Sequence, residues 1–179
     1  MPLAARVADD YSKVVVRPAR KNDAVALGAF FTHAWKEAGP GALGFTGATD
    51  GAIDVISSEE FLSRRLSSPS VRIVVAERDR MVLGLASIRV TGRREGELTA
   101  VVVLESASGM GLGTKLVRKA SEVAVKLGLE HLTVKTEAVN QRAIGFYKKN
   151  GFTESGRTSE KVGRVKVSLM VLEKKLRRR

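Results

Sequence analysis

Apolar and β-branched runs alternate with polar turns in the first hundred positions and predict four strands. Two of these runs flank the polar tetrapeptide Glu77-Arg78-Asp79-Arg80, which predicts a β-hairpin. The segments between strands have helical composition, with one helix capped near Asn22 or Asp23 and a second stopped before Pro69. The predicted strands cover residues 14–16, 71–76, 81–90 and 97–104, and the predicted helices cover residues 24–34 and 59–66.

A helical period begins after a glycine-rich turn in the second half. Its charged positions, such as Lys119 and Glu122, fall opposite an apolar face, and Gly128 ends the helix. The apolar face comprises Leu112, Leu116, Val117, Ala120, Val123, Ala124 and Leu127. A strand over 132–136, a helix from Asn140 to Lys149 and strands over 152–158 and 165–173 follow.

This order of elements mixes hairpins with crossover connections. It predicts an α/β (α+β) fold in which a mixed sheet carries helices on both faces. No internal repeat or low-complexity linker divides the chain, so we expect a single domain over 1–179, with flexible tails at 1–12 and 174–179. The segment 39–51 is rich in glycine and predicts a loop that either connects elements or shapes a substrate entrance.

Composition restricts the classes of protein that fit. The 179 residues contain no cysteine and two histidines, which excludes disulfides and thiolate chemistry and argues against a metal site. No apolar run reaches the roughly 18 residues that a membrane span needs, and the first ten residues lack a secretory pattern. We therefore expect a cytoplasmic protein with no membrane partner and no metal.

The net charge of +12 is concentrated in the second half of the chain. Residues 1–100 carry 14 basic and 12 acidic side chains, whereas residues 101–179 carry 17 and 7. The basic end is most simply a solvated tail, but the excess also fits a polyanionic ligand or weak nucleic-acid binding. Only 5% of the residues are aromatic and none alternate with arginine, so nucleic-acid binding is the less favoured alternative.

The glycine-rich turn lies between a predicted strand and a predicted helix N-terminus. Glycine allows backbone N–H groups to approach an anion, and the helix dipole adds positive charge, so a phosphate or pyrophosphate is the expected ligand. The turn is neither a Walker loop, because Thr114 separates Gly113 from Lys115, nor a dinucleotide fingerprint, because position 114 is not glycine.

A second cluster of residues lies downstream at the predicted last helix. It consists of Asn140, Ala143, Phe146, Tyr147, Gly151 and Phe152. Together with Gly111 and Gly113, this cluster resembles the two motifs of the GNAT superfamily of acyl-CoA-dependent N-acetyltransferases, in the same order and spacing. The resemblance extends from Val14 to about Leu172, and it implies a mostly antiparallel central sheet of about six or seven strands.

The resemblance also implies a cosubstrate, acetyl-CoA, and an amine acceptor. Tyr147 would act as general acid beside the sulfur, and Glu97, fourteen residues before Gly111, would act as base. The coenzyme would be bound by Val101, Val102, Val103, Ser108, Gly109, Met110, Gly111, Leu112, Gly113, Thr114, Asn140 and Tyr147. The family usually has Arg or Gln at the position of Ser108, and Lys115 or Arg118 could supply charge in its place.

Several alternatives stay open at this stage. Glu105, Glu137 or a chain of water molecules could replace Glu97 as the base, and His33 and Trp35 could line an acceptor pocket. The acceptor could be a protein N-terminus, a lysine, a polyamine or a small amine. A homodimer is compatible with the family, and so is a non-catalytic protein that binds coenzyme A as a regulatory ligand.

Overall fold

The computed structural model describes residues 13–39, 50–162 and 164–177. Seven strands and five α-helices make up this part of the chain, with short 3-10 turns at Lys21–Asp23 and Glu105–Ala107. The strands are β1 (Val15–Pro18), β2 (Val71–Arg78), β3 (Met81–Val90), β4 (Glu95–Val103), β5 (His131–Glu137), β6 (Thr153–Val162) and β7 (Val165–Lys175). The helices are α1 (Ala24–Ala38), α2 (Asp50–Ile56), α3 (Glu59–Ser67), α4 (Leu112–Lys126) and α5 (Gln141–Lys149).

The strands form one sheet with the order β1-β2-β3-β4-β5-β7-β6. Every neighbouring pair is antiparallel except β4 and β5, which are parallel. This parallel pair needs a crossover, and α4 provides it. The predicted mixed, mostly antiparallel sheet with helices on both faces is confirmed.

Each face of the sheet has its own hydrophobic core. On the α4 face, Leu116, Val117 and Ala120 of α4 pack with Ile144 and Tyr147 of α5 against the sheet. On the α1 face, side chains of α1 and α3, including Leu27, Phe30 and Leu62, pack against β2 and β3. The apolar periods of the helices thus decide which side of each helix meets the sheet.

Local sequence explains where the helices begin. The Ser58 hydroxyl accepts a hydrogen bond from the Phe61 amide at 3.3 Å, and the Asn140 side-chain oxygen accepts one from the Ala143 amide at 3.0 Å. Both satisfy N–H groups that a helix leaves unpaired in its first turn. These caps place α3 and α5 where the pattern predicts them.

Three sequence-based expectations need correction. The segment 39–51 was expected to be all loop, but Asp50 and Gly51 open α2, and residues 40–49 lie outside the described part of the chain. Leu127 was placed on the apolar face of α4, yet it follows the end of the helix and is 38% exposed. The third correction concerns the flexible tail that was expected at 174–179.

The residues from 174 onward largely belong to the fold. β7 continues to Lys175, the Leu176 amide donates to the Glu130 carbonyl at 2.7 Å, and the Leu176 side chain is buried. The Lys174 ammonium lies 5.6 Å from the centre of the Phe152 ring. The chain therefore stays in the sheet as far as Lys175, while residues 178–179 and the expected tail at 1–12 lie outside the described residues.

Candidate active site

The sheet opens between its two parallel strands. β4 pairs with β5 only where Glu95, Gly96 and Glu97 meet residues 131–133. β4 then continues to Val103 and β5 to Glu137 with no further register pair between them in the described residues. Backbone groups on this side of β4 are therefore available to a ligand, which is unusual in the middle of a sheet. We call this opening the wedge.

A β-bulge shapes the β4 side of the wedge. Leu98 pairs with Ile88 and Ala100 pairs with Ser87, so Thr99 is the extra residue. The Thr99 hydroxyl donates to the Ser87 carbonyl at 3.2 Å and holds the bulge in place. The predicted coenzyme-binding residues Val101, Val102 and Val103 follow Ala100, and their backbone borders the wedge.

The glycine-rich turn lies between the end of β4 and α4. Gly109 and Gly111 have φ angles of +80° and +70°, which only glycine adopts without strain, and a side chain at either position would point into open space. The amides of Leu112, Gly113 and Thr114 open α4 and find no acceptor among the described residues. These N–H groups and the helix dipole form a place for an anion.

The two sequence clusters meet in the structure at Gly113. A Cβ built on Gly113 would lie 3.1 Å from two carbons of the Phe146 ring, so the glycine permits close contact between α4 and α5. Asn140, whose side-chain oxygen caps α5, keeps its amide group for another partner. Ser108 directs its hydroxyl to the Leu104 carbonyl at 3.4 Å, within the turn itself.

Tyr147 lies on the buried side of α5. Its ring packs edge-on against Phe146 and Phe152, with centroid separations of 5.2 and 5.6 Å. The residue is 9% exposed, and burial raises the pKa of the phenol to about 12. No described residue forms a hydrogen bond with the Tyr147 hydroxyl. Every fully buried side-chain polar atom among the described residues has a partner, so this hydroxyl is not fully buried and reaches solvent.

Glu97 lies on the other face of the sheet from Tyr147. Its neighbour Leu98 points into the α4-face core, and its own carboxylate contacts Arg89 of β3 and, at 3.9 Å, the Lys135 ammonium of β5. Lys135 also donates a hydrogen bond to Glu160 at 2.7 Å, and this bond, with the charge of Glu97, raises the pKa of Lys135. Glu97 therefore belongs to a charged row that crosses the sheet beside the wedge.

The weaker candidate residues lie nearer the ends of the strands. The Glu105 amide, not its carboxylate, takes part in a contact: it donates to Glu37 of α1 at 2.6 Å. Burial disfavours the charge on Glu37, but hydrogen bonds from Ser106 and Glu105 outweigh it and hold the Glu37 pKa below its usual value. His33 is exposed, with its Nε2 3.3 Å from Glu37.

Glu137 ends β5, and Trp35 is half-buried on α1. Lys115 and Arg118 are exposed on α4. Two residues near the bulge, Arg65 and Ser87, were not identified from the sequence. Ser87 stands alone as a polar residue within the apolar run of β3, and that was the one available signal for it.

Comparison with known proteins identifies the family. The model of the acetyltransferase (GNAT) family matches residues 43–152, and the chain belongs to this family. The predicted resemblance is confirmed, and with it the class of acetyl-CoA-dependent N-acetyltransferases. Within the described residues, no helix has both the length and the apolar character to cross a membrane.

The chain is also similar to individual proteins. It is 30% identical over 92 residues to an IAA acetyltransferase of Azospirillum brasilense, a match that covers 51% of this chain and 60% of the relative's length. Among solved structures, the PaiA N-acetyltransferase of Thermoplasma acidophilum in complex with coenzyme A has a TM-score of 0.69 at 19% identity and covers 90% of this chain and 98% of that one.

A ribosomal-protein-alanine N-acetyltransferase of Brucella melitensis has the same TM-score, 0.69, at 25% identity, and the match covers 90% of this chain and 99% of that one. These structural matches agree with the observed fold. Whether the chain forms a homodimer stays a prediction.

Proposed function

We propose that this protein transfers the acetyl group of acetyl-CoA to a primary amine by direct attack within a ternary complex. One observation carries the proposal: the wedge beside Val101–Val103 leads to a turn whose glycines and helix N-terminus present free N–H groups. An extended thioester arm fits a gap lined by unpaired strand backbone, and a pyrophosphate fits the turn. Family membership supports the same assignment.

In this proposal the coenzyme lies along β4. Backbone groups of Val101, Val102 and Val103 bind the pantetheine arm and the thioester carbonyl. The pyrophosphate rests on the amides of residues 109–114, with Ser108 shaping the turn. The free amide of Asn140 bonds the arm from the α5 side.

The reaction requires one bond to form and one to break. The lone pair of the neutral amine attacks the thioester carbon, and a backbone N–H of β4 stabilises the oxyanion of the tetrahedral intermediate. The C–S bond then breaks, the amine gives up a proton, and the thiolate gains one. Because the proposed base Glu97 lies on the α1 face while Tyr147 lies on the α4 face, the two proton transfers take place on opposite sides of the sheet.

Tyr147 is the proposed donor to the leaving sulfur. A phenol with a pKa of about 12 stays protonated throughout the physiological range. An ordinary thiol has a pKa of about 8.5, so complete transfer of the phenolic proton to the thiolate is unfavourable by several kcal/mol. We infer that Tyr147 stabilises the departing thiolate by a hydrogen bond, and that water completes its protonation.

Glu97 is the proposed base for the amine. Arg89 and Lys135 hold its carboxylate on the α1 face beside the parallel end of the wedge. From there it receives the amine proton directly or through water. Glu105, Glu137 and a water chain remain the alternative routes, and replacement of each carboxylate by its amide distinguishes them through the pH dependence of kcat/KM.

The relatives do not assign the acceptor. Their names refer to IAA in one case and to a ribosomal-protein alanine in another. The acceptor of this chain is therefore a matter for a screen of amino acids, peptides, lysine side chains and polyamines.

Calorimetric titration with acetyl-CoA, and separately with coenzyme A, tests the proposal. Gly111→Glu should abolish binding, because it places a carboxylate in open space at the proposed pyrophosphate position. Gly128→Glu is the matched control, since Gly128 also has a positive φ, +82°, with open space around it, but lies at the other end of α4. That variant should bind like the wild type.

Two results would contradict the proposal. If folded wild-type protein binds neither compound, the site does not hold the coenzyme. If it binds both but acetylates no amine in the screen, the non-catalytic coenzyme-binding alternative is correct.

A further inference from the structure

Arg65 is a half-buried cation beside the proposed reaction centre. It lies in the last turn of α3, with its guanidinium 5.8 Å from the centre of the Phe61 ring. Its Nη2 approaches the Ser87 hydroxyl at 3.4 Å. Ser87 is 4% exposed and is the one buried polar side chain in the described part of the chain. A guanidinium and a hydroxyl thus converge on the α1 face of the sheet.

No carboxylate among the described residues balances the charge of Arg65. Arg17, Arg89 and Arg94 each contact a carboxylate, whereas no described carboxylate forms an ion pair with Arg65. The neighbouring charge is that of Arg89, and burial together with Arg89 lowers the pKa of Arg65. A desolvated guanidinium without a counterion favours an anionic ligand.

Arg65 is also close to the wedge. Ser87 pairs with Ala100, immediately before the proposed thioester-binding residues, and its carbonyl accepts the Thr99 hydroxyl at the bulge. From strand spacing and rise per residue, the backbone of Ser87 lies roughly 6 Å from that of Val101. A small molecule can therefore contact Arg65 at one end and the thioester at the other.

We propose that the acceptor is a small amino acid whose carboxylate is bound by Arg65 and Ser87 while its amine faces the thioester. This inference rests on the proposed function and names its substrate class. The planar fork of arginine matches a carboxylate in a bidentate arrangement. Arg65, which has no carboxylate partner among the described residues, disfavours a polyamine at the same place, because like charges repel.

The test compares free amino acids with their carboxamides and with the corresponding decarboxylated amines as acceptors. We expect at least one amino acid to be acetylated with a kcat/KM at least tenfold above that of its carboxamide. Arg65→Met, which keeps length but removes charge, should lower kcat/KM for that amino acid by about tenfold to hundredfold, mainly through KM. Arg65→Lys should restore part of the loss.

Two controls separate this inference from the proposed function. Arg64→Met removes a neighbouring charge whose guanidinium is exposed and lies 3.8 Å from Glu60, so it should change nothing. Arg65→Met should leave acetyl-CoA binding unchanged, because Arg65 is proposed to contact the acceptor and not the coenzyme. If the best acceptors lack a carboxylate, or if Arg65→Met acetylates amino acids like the wild type, the substrate class is wrong although the enzyme assignment stands. Absence of acetyl-CoA binding would instead refute the proposed function.

Discussion

The buried phenol of Tyr147 should ionise far above the ordinary value for tyrosine. Burial raises its pKa from 10.0 to about 12. The folded value therefore exceeds the unfolded value, and the stabilisation from keeping the phenol neutral is fully present below pH 10 and is lost as the pH rises toward 12. Two pK units correspond to about 2.7 kcal/mol of unfolding free energy, a loss that is complete once the pH has passed through the folded value.

The assay uses the small number of tyrosines in the chain. There are two, so Tyr11→Phe leaves Tyr147 as the one phenol whose near-ultraviolet tyrosinate absorbance is titrated. In the folded variant the midpoint should lie near 12. In denaturant the same variant should titrate near 10, which provides the internal reference.

A second variant checks the thermodynamic link. The unfolding free energy of the Tyr11→Phe protein is measured by denaturant unfolding at each pH and should fall between pH 10 and 12. Adding Tyr147→Phe should remove the part of this fall that belongs to the Tyr147 phenol. A folded-state midpoint near 10 would refute the argument, because it would mean that the hydroxyl is solvated like that of a free tyrosine. The proposed hydrogen-bond role at the sulfur would then lose its physical basis.

Two other changes probe the site and the basic end of the chain. Gly113→Val should destabilise the fold by about 1–3 kcal/mol and weaken acetyl-CoA binding, because the valine side chain would press on the Phe146 ring. Equal unfolding midpoints for the variant and the wild type would show that α5 moves aside freely. Leu176→Ala should lower the unfolding free energy, measured by denaturant titration, by about 2 kcal/mol, since Leu176 is buried. An unchanged unfolding free energy would mean that the end of β7 contributes no packing.

The parts of the fold that depend on local sequence were predictable. α4 was found because an apolar period is followed by a terminal glycine, Gly128, and α5 because its segment begins at the capping Asn140 and ends before Gly151. α2 was missed because its sequence begins Asp-Gly inside a glycine-rich stretch and is seven residues long. The ordered end of β7 was missed because Leu176 is a single apolar residue among cations, and only its contact with Glu130 reveals its place.

The residues of the candidate site also differ in how far the sequence could identify them. The glycine turn and the Tyr147 segment are contiguous motifs, so their residues were identified, although their roles in binding and catalysis are still predictions. Arg65 and Ser87 are 22 residues apart on different elements, and neither carries a motif. Their proximity follows from the packing of α3 on the sheet, which periodicity alone does not specify. The wedge also depends on the register between β4 and β5, which the apolar pattern of β4 does not determine.

The short pairing between β4 and β5 has a mechanical consequence. It divides the sheet into a four-stranded part, β1 to β4, and a three-stranded part, β5 to β7, which pair at three register positions and share the α4-face core. Partial opening of the sheet requires the least free energy at such a seam. The amide hydrogens at the seam should therefore exchange with solvent sooner than those within either part. A ligand that spans the seam would fasten the two parts together, and the rigidity of the whole sheet would then depend on whether the cosubstrate is bound.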